Sequence, residues 1–79
     1  MKVVKVMKFL KDNNAIIKSN KKYNITGKIK NHNFSITSFD GVKGINISGY
    51  FVNLDNKHDD GCSSQREIID HIKFCLDIC

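Results

Sequence analysis

From residue 64 onward, apolar side chains return every three or four positions. Ile68, Ile69, Ile72, Cys75, Leu76 and Cys79 fall within a stripe of about 120° when residues are spaced helically, and Arg66, Asp70, Lys73 and Asp77 fall opposite. Ser64-Gln65-Arg66-Glu67 precedes the stripe and has the S-x-x-E form of a capping box. In that motif the Ser hydroxyl accepts from the Glu67 amide, and the Glu carboxylate accepts from the Ser64 amide. The pattern predicts a C-terminal amphipathic helix with one face to bury.

The middle of the chain follows a period of two. Tyr23, Ile25 and Ile29 alternate with Asn24, Thr26, Lys28 and Lys30, and Phe34 and Ile36 alternate with Ser35 and Thr37. Ile45, Ile47 and Phe51 alternate with Asn46, Ser48 and Tyr50. Asn31-His32-Asn33 and the segment from Asp40 to Gly44 supply turn residues. These signals predict an antiparallel meander with one apolar and one polar face, and residues 55–62 read as the loop into the last helix. In the first segment Val3, Val6, Met7 and Leu10 share a helical face opposite the lysines, whereas three closely spaced valines favour a strand. The helix is taken here, an edge strand is the alternative, and Ala15–Lys18 is a candidate extension of the sheet. The expected class is α+β: a three- to four-stranded antiparallel sheet with the C-terminal helix packed on one face.

A chain of 79 residues allows a single domain, 1–79. Its size hides only about 60% of the surface exposed by the unfolded chain, so the core is small and a partner or oligomer that covers more apolar surface is plausible. An apolar share of 41% and a charged share of 27% fit a folded chain, and the size excludes large enzymes, multi-domain receptors and disulfide-dense scaffolds. Lys, Asn and Ile, with AT-rich codons, contribute 12, 9 and 11 residues, while Ala and Arg occur once each. That composition resembles small accessory proteins of phages and other viruses, and AT-rich bacteria share it. Lys5, Lys8 and Lys11 interrupt the first apolar run, so no signal-peptide core is expected. No stretch approaches the roughly 20 apolar residues of a membrane span. With no secretory signal, three cysteines read as reduced thiols and the expected location is the cytoplasm.

Charge is uneven along the chain. Residues 1–30 carry nine Lys against Asp12, a net of +8; residues 31–79 carry four cations against seven acids, a net of −3, and the two return the total of +5. A one-sided field of this kind is the footprint of a nucleic-acid binder. Lys28 and Lys30 are expected on the polar sheet face, with Lys21 and Lys22 just before that strand and Lys2, Lys5, Lys8 and Lys11 along the first segment. Phe39 and Tyr50 are the expected base-stacking residues on the same face. Lys is a point charge without a planar fork, so phosphate contact, loose sequence preference and steep salt dependence are expected. A basic amphipathic helix also suits an anionic membrane, but three valines offer little to insert and no membrane partner is expected.

The order helix, three strands, helix resembles the double-stranded RNA-binding domain. The segment from His32 to Gly41, with Phe34, Ile36 and the Asp40-Gly41 turn, is similar to that family's first hairpin. The family opens its last helix with a lysine-rich phosphate clamp, and this chain has Ser63, Ser64, Gln65, Arg66 and Glu67 there instead.

His58-x3-Cys62 and His71-x3-Cys75-x3-Cys79 have metal-ligand spacing, and four of these five would make a tetrahedral zinc site. Cys75 and Cys79 also lie on the apolar stripe, where cysteine is an ordinary small core residue, and no C-x2-C knuckle is present. No metal or cofactor is therefore assigned. His58-Asp59-Asp60 sets an imidazole beside two carboxylates, but in a solvated loop lacking the rigid support that catalysis needs. Gly41, Gly44 and Gly49 lack the ending of a phosphate loop, and no serine has nucleophile-elbow context. The expectation is a small non-enzymatic nucleic-acid binder, for RNA or single strands. The alternative is an inhibitor of a host defence nuclease, toxin or CRISPR ribonucleoprotein. A further alternative is a homodimer paired through Ile68, Ile72 and Cys75 of the last helix.

Overall fold

The computed structural model describes residues 3–41, 43–44 and 48–78. In chain order these form α1 (Val4–Asp12), β1 (Ile16–Asn20), β2 (Asn24–Ile29), β3 (His32–Ser38), a 3-10 turn (Phe39–Gly41), β4 (Tyr50–Leu54), β5 (Lys57–Cys62) and α2 (Gln65–Ile78). The strands make one antiparallel meander in the order β1-β2-β3-β4-β5, and α2 packs across β4 and β5 with α1 beside it. The class is α+β as expected, with five strands where three or four were anticipated.

Alternation decides the sides of β2 and β3. Ile25, Ile29, Phe34 and Ile36 turn to the helices and are buried with Val52 and Leu54 of β4, while Asn24, Thr26, Lys28, Ser35 and Thr37 face away. Val3, Val6 and Leu10 of α1 and Ile68, Ile72 and Cys75 of α2 close the core from the other side. Because Ile68, Ile72 and Cys75 are fully buried in their own chain, the helix seam expected for a homodimer is already occupied.

The two helices run side by side in the same direction. At one end the Gln65 side-chain oxygen accepts from the Lys5 and Val6 amides at 2.9 and 3.4 Å; at the other the Lys73 ammonium lies 5.8 Å from the centre of the Phe9 ring. Val3 gives α1 no side-chain cap, so Gln65 supplies from α2 the acceptor that the first amides of α1 lack. Gln65→Ala is expected to lower stability by about 1 kcal/mol, read as a lower urea midpoint. Gln65→Glu, which keeps an acceptor near the positive end of α1, should retain most of it. An alanine variant with an unchanged midpoint would remove this role.

The cap of α2 forms with one change of partner. The Ser64 hydroxyl accepts from the Glu67 amide at 3.3 Å as expected, but the Glu67 carboxylate takes the Ser63 amide and, at 2.7 Å, the Ser63 hydroxyl rather than the Ser64 amide. These bonds, the Ser63 hydroxyl first, hold the Glu67 carboxyl below its ordinary range.

Three sequence expectations are corrected by the strands. The segment read as a loop, residues 55–62, is a hairpin: Asp55 and Asn56 have φ of 54° and 58°, the left-handed pair that a tight turn requires, and Lys57–Cys62 then pairs along β4. The β2–β3 turn is centred on Lys30 and Asn31, with φ of 46° and 67°, so Lys30 sits in the turn and not on the strand face with Lys28. Tyr50 lies on the helix side in register with Ser38 and Cys62, and Phe51 takes the open side opposite Thr37. Val52 and Leu54 turn into the core opposite Ile36 and Phe34, and alternation along β4 carries Tyr50 to the same side. Ile45 and Ile47 lie outside the described residues; Gly49, just before β4, has a φ of 145°, and a Cβ there would come 2.7 Å from the Cys62 carbonyl oxygen.

Candidate nucleic-acid interface

In a meander, position across the sheet follows position along the chain, so the charge imbalance becomes a spatial one. Lys5, Lys8 and Lys11 on α1 are exposed, and β1, β2 and their turns carry Lys18, Lys21, Lys22, Lys28 and Lys30. Asp55, Asp59, Asp60, Glu67, Asp70 and Asp77 collect on the half built from the β4–β5 turn, β5 and α2. The two sets also meet: Lys30 shares a hollow with Asp12, Lys73 and Asp77.

The expected contact residues separate into three places. Lys28 on the open face and Lys30 in the turn come together around a hollow of about 360 Å³ shared with Asn13, Asn14, Ile16 and Asn31. Lys21 and Lys22 lie in the β1–β2 turn at the far end of β2, with the Lys22 ammonium 5.2 Å from the centre of the Tyr23 ring. Lys5, Lys8 and Lys11 belong to the helix layer, and Lys8 pairs with Asp12 at 3.3 Å; Lys2 lies outside the described residues. Lys18 joins the open face as well, although nothing in the local pattern marks it. It stands at an irregularity in the β1–β2 register, between Ile17 and Ser19, and its ammonium reaches the Asn33 side-chain oxygen at 3.5 Å.

Between the lysines and the far corner, the open face is a field of small uncharged groups. Thr26, Ser35 and Asn53 form one row across the strands, and Asn24 and Thr37 belong to the next. The Asn24 amide donates to Thr37 at 2.9 Å and to Ser35 at 3.3 Å. At that far corner Phe51 is 40% exposed. Phe39 packs over glycines, because Cβ atoms on Gly49 and Gly61 would lie 3.3 and 4.0 Å from its ring. Tyr50, expected on this face, is half-buried and packs against the core. Phe51 replaces it as the outward aromatic ring.

Comparison with protein-family models, curated protein sequences and solved structures finds no match for this chain. The likeness to the double-stranded RNA-binding domain ends at the order of elements. The sheet has two more strands, and the start of α2 is committed to caps through Gln65, Ser64 and Glu67.

The thiol and imidazole groups gather elsewhere. A cleft of about 570 Å³ between β5 and α2 is lined by Asp60, Cys62, His71, Phe74 and Cys75 among others. His71 Nε2 lies 3.4 Å from Cys75 Sγ, and its Nδ1 lies 3.5 Å from Asp60. Of the residues with metal-ligand spacing, Cys62, His71 and Cys75 thus meet at one cleft; Cys79 and the His58 side chain are outside the description. Among the described residues, no three His, Cys, Asp or Glu side chains converge on a metal position. Burial, then the charges of Asp60 and Glu67, push the Cys62 thiol up to about 11, so it is protonated at neutral pH and a poor nucleophile. Asp59 and Asp60 do not act as a pair: Asp59 accepts from the Asn53 amide and Asp60 faces His71.

Proposed function

We propose that this chain is a small non-enzymatic nucleic-acid-binding protein that holds phosphates with lysines on its β1–β2 half. Its preferred partner is RNA or another single strand. The carrying observation is the pairing of Lys28 and Lys30 around one hollow, beside Lys18 on an uncovered sheet face. Point charges on flexible stems next to uncharged amides suit a phosphate backbone better than the edges of paired bases. The same reading makes it a cytoplasmic accessory protein of phage or viral type.

The test is filter retention of RNA over a range of salt. Wild-type protein should retain RNA with affinity that falls steeply as salt rises, and K28E/K30E should abolish retention and flatten that dependence. Unchanged retention by the double variant would remove this surface. A second reading, direct inhibition of a host protein, is favoured by Phe74, which is 60% exposed at a cleft rimmed by Asp59, Asp60, Glu67 and Asp70. Capture of a partner that persists after nuclease treatment would favour it.

A further inference from the structure

We infer that the open face carries a second contact, a stacking site for an unpaired nucleobase on Phe51 beside Phe39. The inference rests on the nucleic-acid reading and adds to it the ring on which a free base lies, a contact that a polyanion without bases cannot make.

The argument begins with what surrounds the ring. Phe51 has Thr37 of β3 and Gly61 of β5 as its register partners, one small and the other without a side chain. An outward phenylalanine in a sheet is ordinarily shielded by its cross-strand neighbours; here one neighbour contributes nothing. The Phe39 ring reaches the same glycine from the 3-10 turn, so two aromatic side chains border Gly61. Among the described residues no helix covers this side, because α1 and α2 both occupy the opposite face of the sheet.

The geometry of the rest of the face fits a strand that begins at the lysines. Phe51 is in register with Thr37 and Asn24, and Lys28 is four residues further along β2, two strands across from β4. Ordinary sheet spacings put the two positions about 16 Å apart on the diagonal. The surface between them consists of Thr26, Ser35, Thr37, Asn24 and Asn53, side chains that donate and accept hydrogen bonds without charge. Phosphates held at Lys28 and Lys18 therefore place the following nucleotides over a polar floor and bring a base to Phe51. Asp59 borders this corner and repels a phosphate there, which favours presentation of a base over the backbone. Bases inside a duplex are stacked on each other, so only an unpaired base can lie on the ring.

The probe is a fluorescently labelled short oligouridylate, and the control is an abasic strand with the same number of phosphates. Fluorescence anisotropy should show wild-type protein binding the oligouridylate about tenfold more tightly than the abasic strand, as one stacked base predicts. Phe51→Ala should reduce that ratio to near one while the salt dependence stays unchanged. Phe51→Leu, which keeps an apolar side chain in the strand and removes the ring, should do the same. K28E/K30E should weaken both strands together. Equal binding of the two strands by wild-type protein, or a ratio that survives both Phe51 variants, overturns the stacking site and leaves the phosphate contacts standing. Wild-type protein that binds neither strand overturns both readings.

Discussion

Gly27→Ala is expected to destabilise the chain by about 3 kcal/mol or more, although a methyl group is all that it adds. Alanine in place of glycine inside a strand ordinarily helps, by roughly 0.5–1 kcal/mol, because the unfolded chain loses freedom. The surroundings of Gly27 reverse the sign. A Cβ there would stand 2.2 Å from the carbonyl oxygen of Ile16 and 2.8 Å from the edge of the Phe34 ring. The first obstacle is backbone and cannot rotate away, and the second is a ring buried in the core. The variant can fold only by moving β1 off β2, which withdraws Ile17 from the core and Lys18 from the open face. For a chain of this length the total stability is on the order of 4–12 kcal/mol, so the loss is a large fraction of the whole. Urea unfolding should show the midpoint falling sharply, with early amide exchange along Ile16–Asn20. A midpoint at or above wild type would mean that β1 does not press on Gly27 as described.

Ile36→Ala should cost about 2–5 kcal/mol, and Thr37→Ala, next to it, about 1 kcal/mol through the lost bond from Asn24. Ile36 occupies the central strand and lies opposite Ile25 and Val52, all three fully buried. Strands on both sides and helices above leave the emptied volume no easy way to close, so the cost includes a residual cavity as well as lost transfer energy. Thr37 turns to the open face, where no layer covers it. Unfolding midpoints of the two variants give the contrast directly. Similar losses at both positions would contradict a sheet covered on one side only, and with it the uncovered surface on which the nucleic-acid reading depends.

Several of these features can be read from the chain because their causes are local. The stripe in α2 and the Ser64 hydroxyl cap depend on residues no more than four apart, and the helical reading of the first segment depends on one face of Val3, Val6 and Leu10. The sides of β2 and β3 follow from uninterrupted alternation. By contrast, β5 is hidden. Lys57–Cys62 contains two aspartates and a glycine, residues depleted in strands, and becomes a strand because the Asp55-Asn56 turn folds it back along β4. As an edge strand it tolerates charge that a central one would not. The exchange of Tyr50 and Phe51 follows from Val52 and Leu54, whose burial sets the inward side of β4, whereas an alternation counted from Ile45 and Ile47 gives the other side. Lys18 escapes notice because the register shift beside it appears only when β1 is laid against β2.

Taken alone, the chain determined two amphipathic helices, the inward sides of the two central strands and a basic first part ahead of an acidic second one. These follow from nearest-neighbour periodicity and from counting charges. Tertiary structure decided which aromatic ring meets solvent, which lysines share a hollow, that Gln65 caps another helix, and that a polar, acidic segment closes the sheet. Each of those outcomes depends on register between segments distant in the chain. A shift of one residue exchanges the faces of a strand, and that shift is settled by turn conformation and pairing partners, which no local pattern contains.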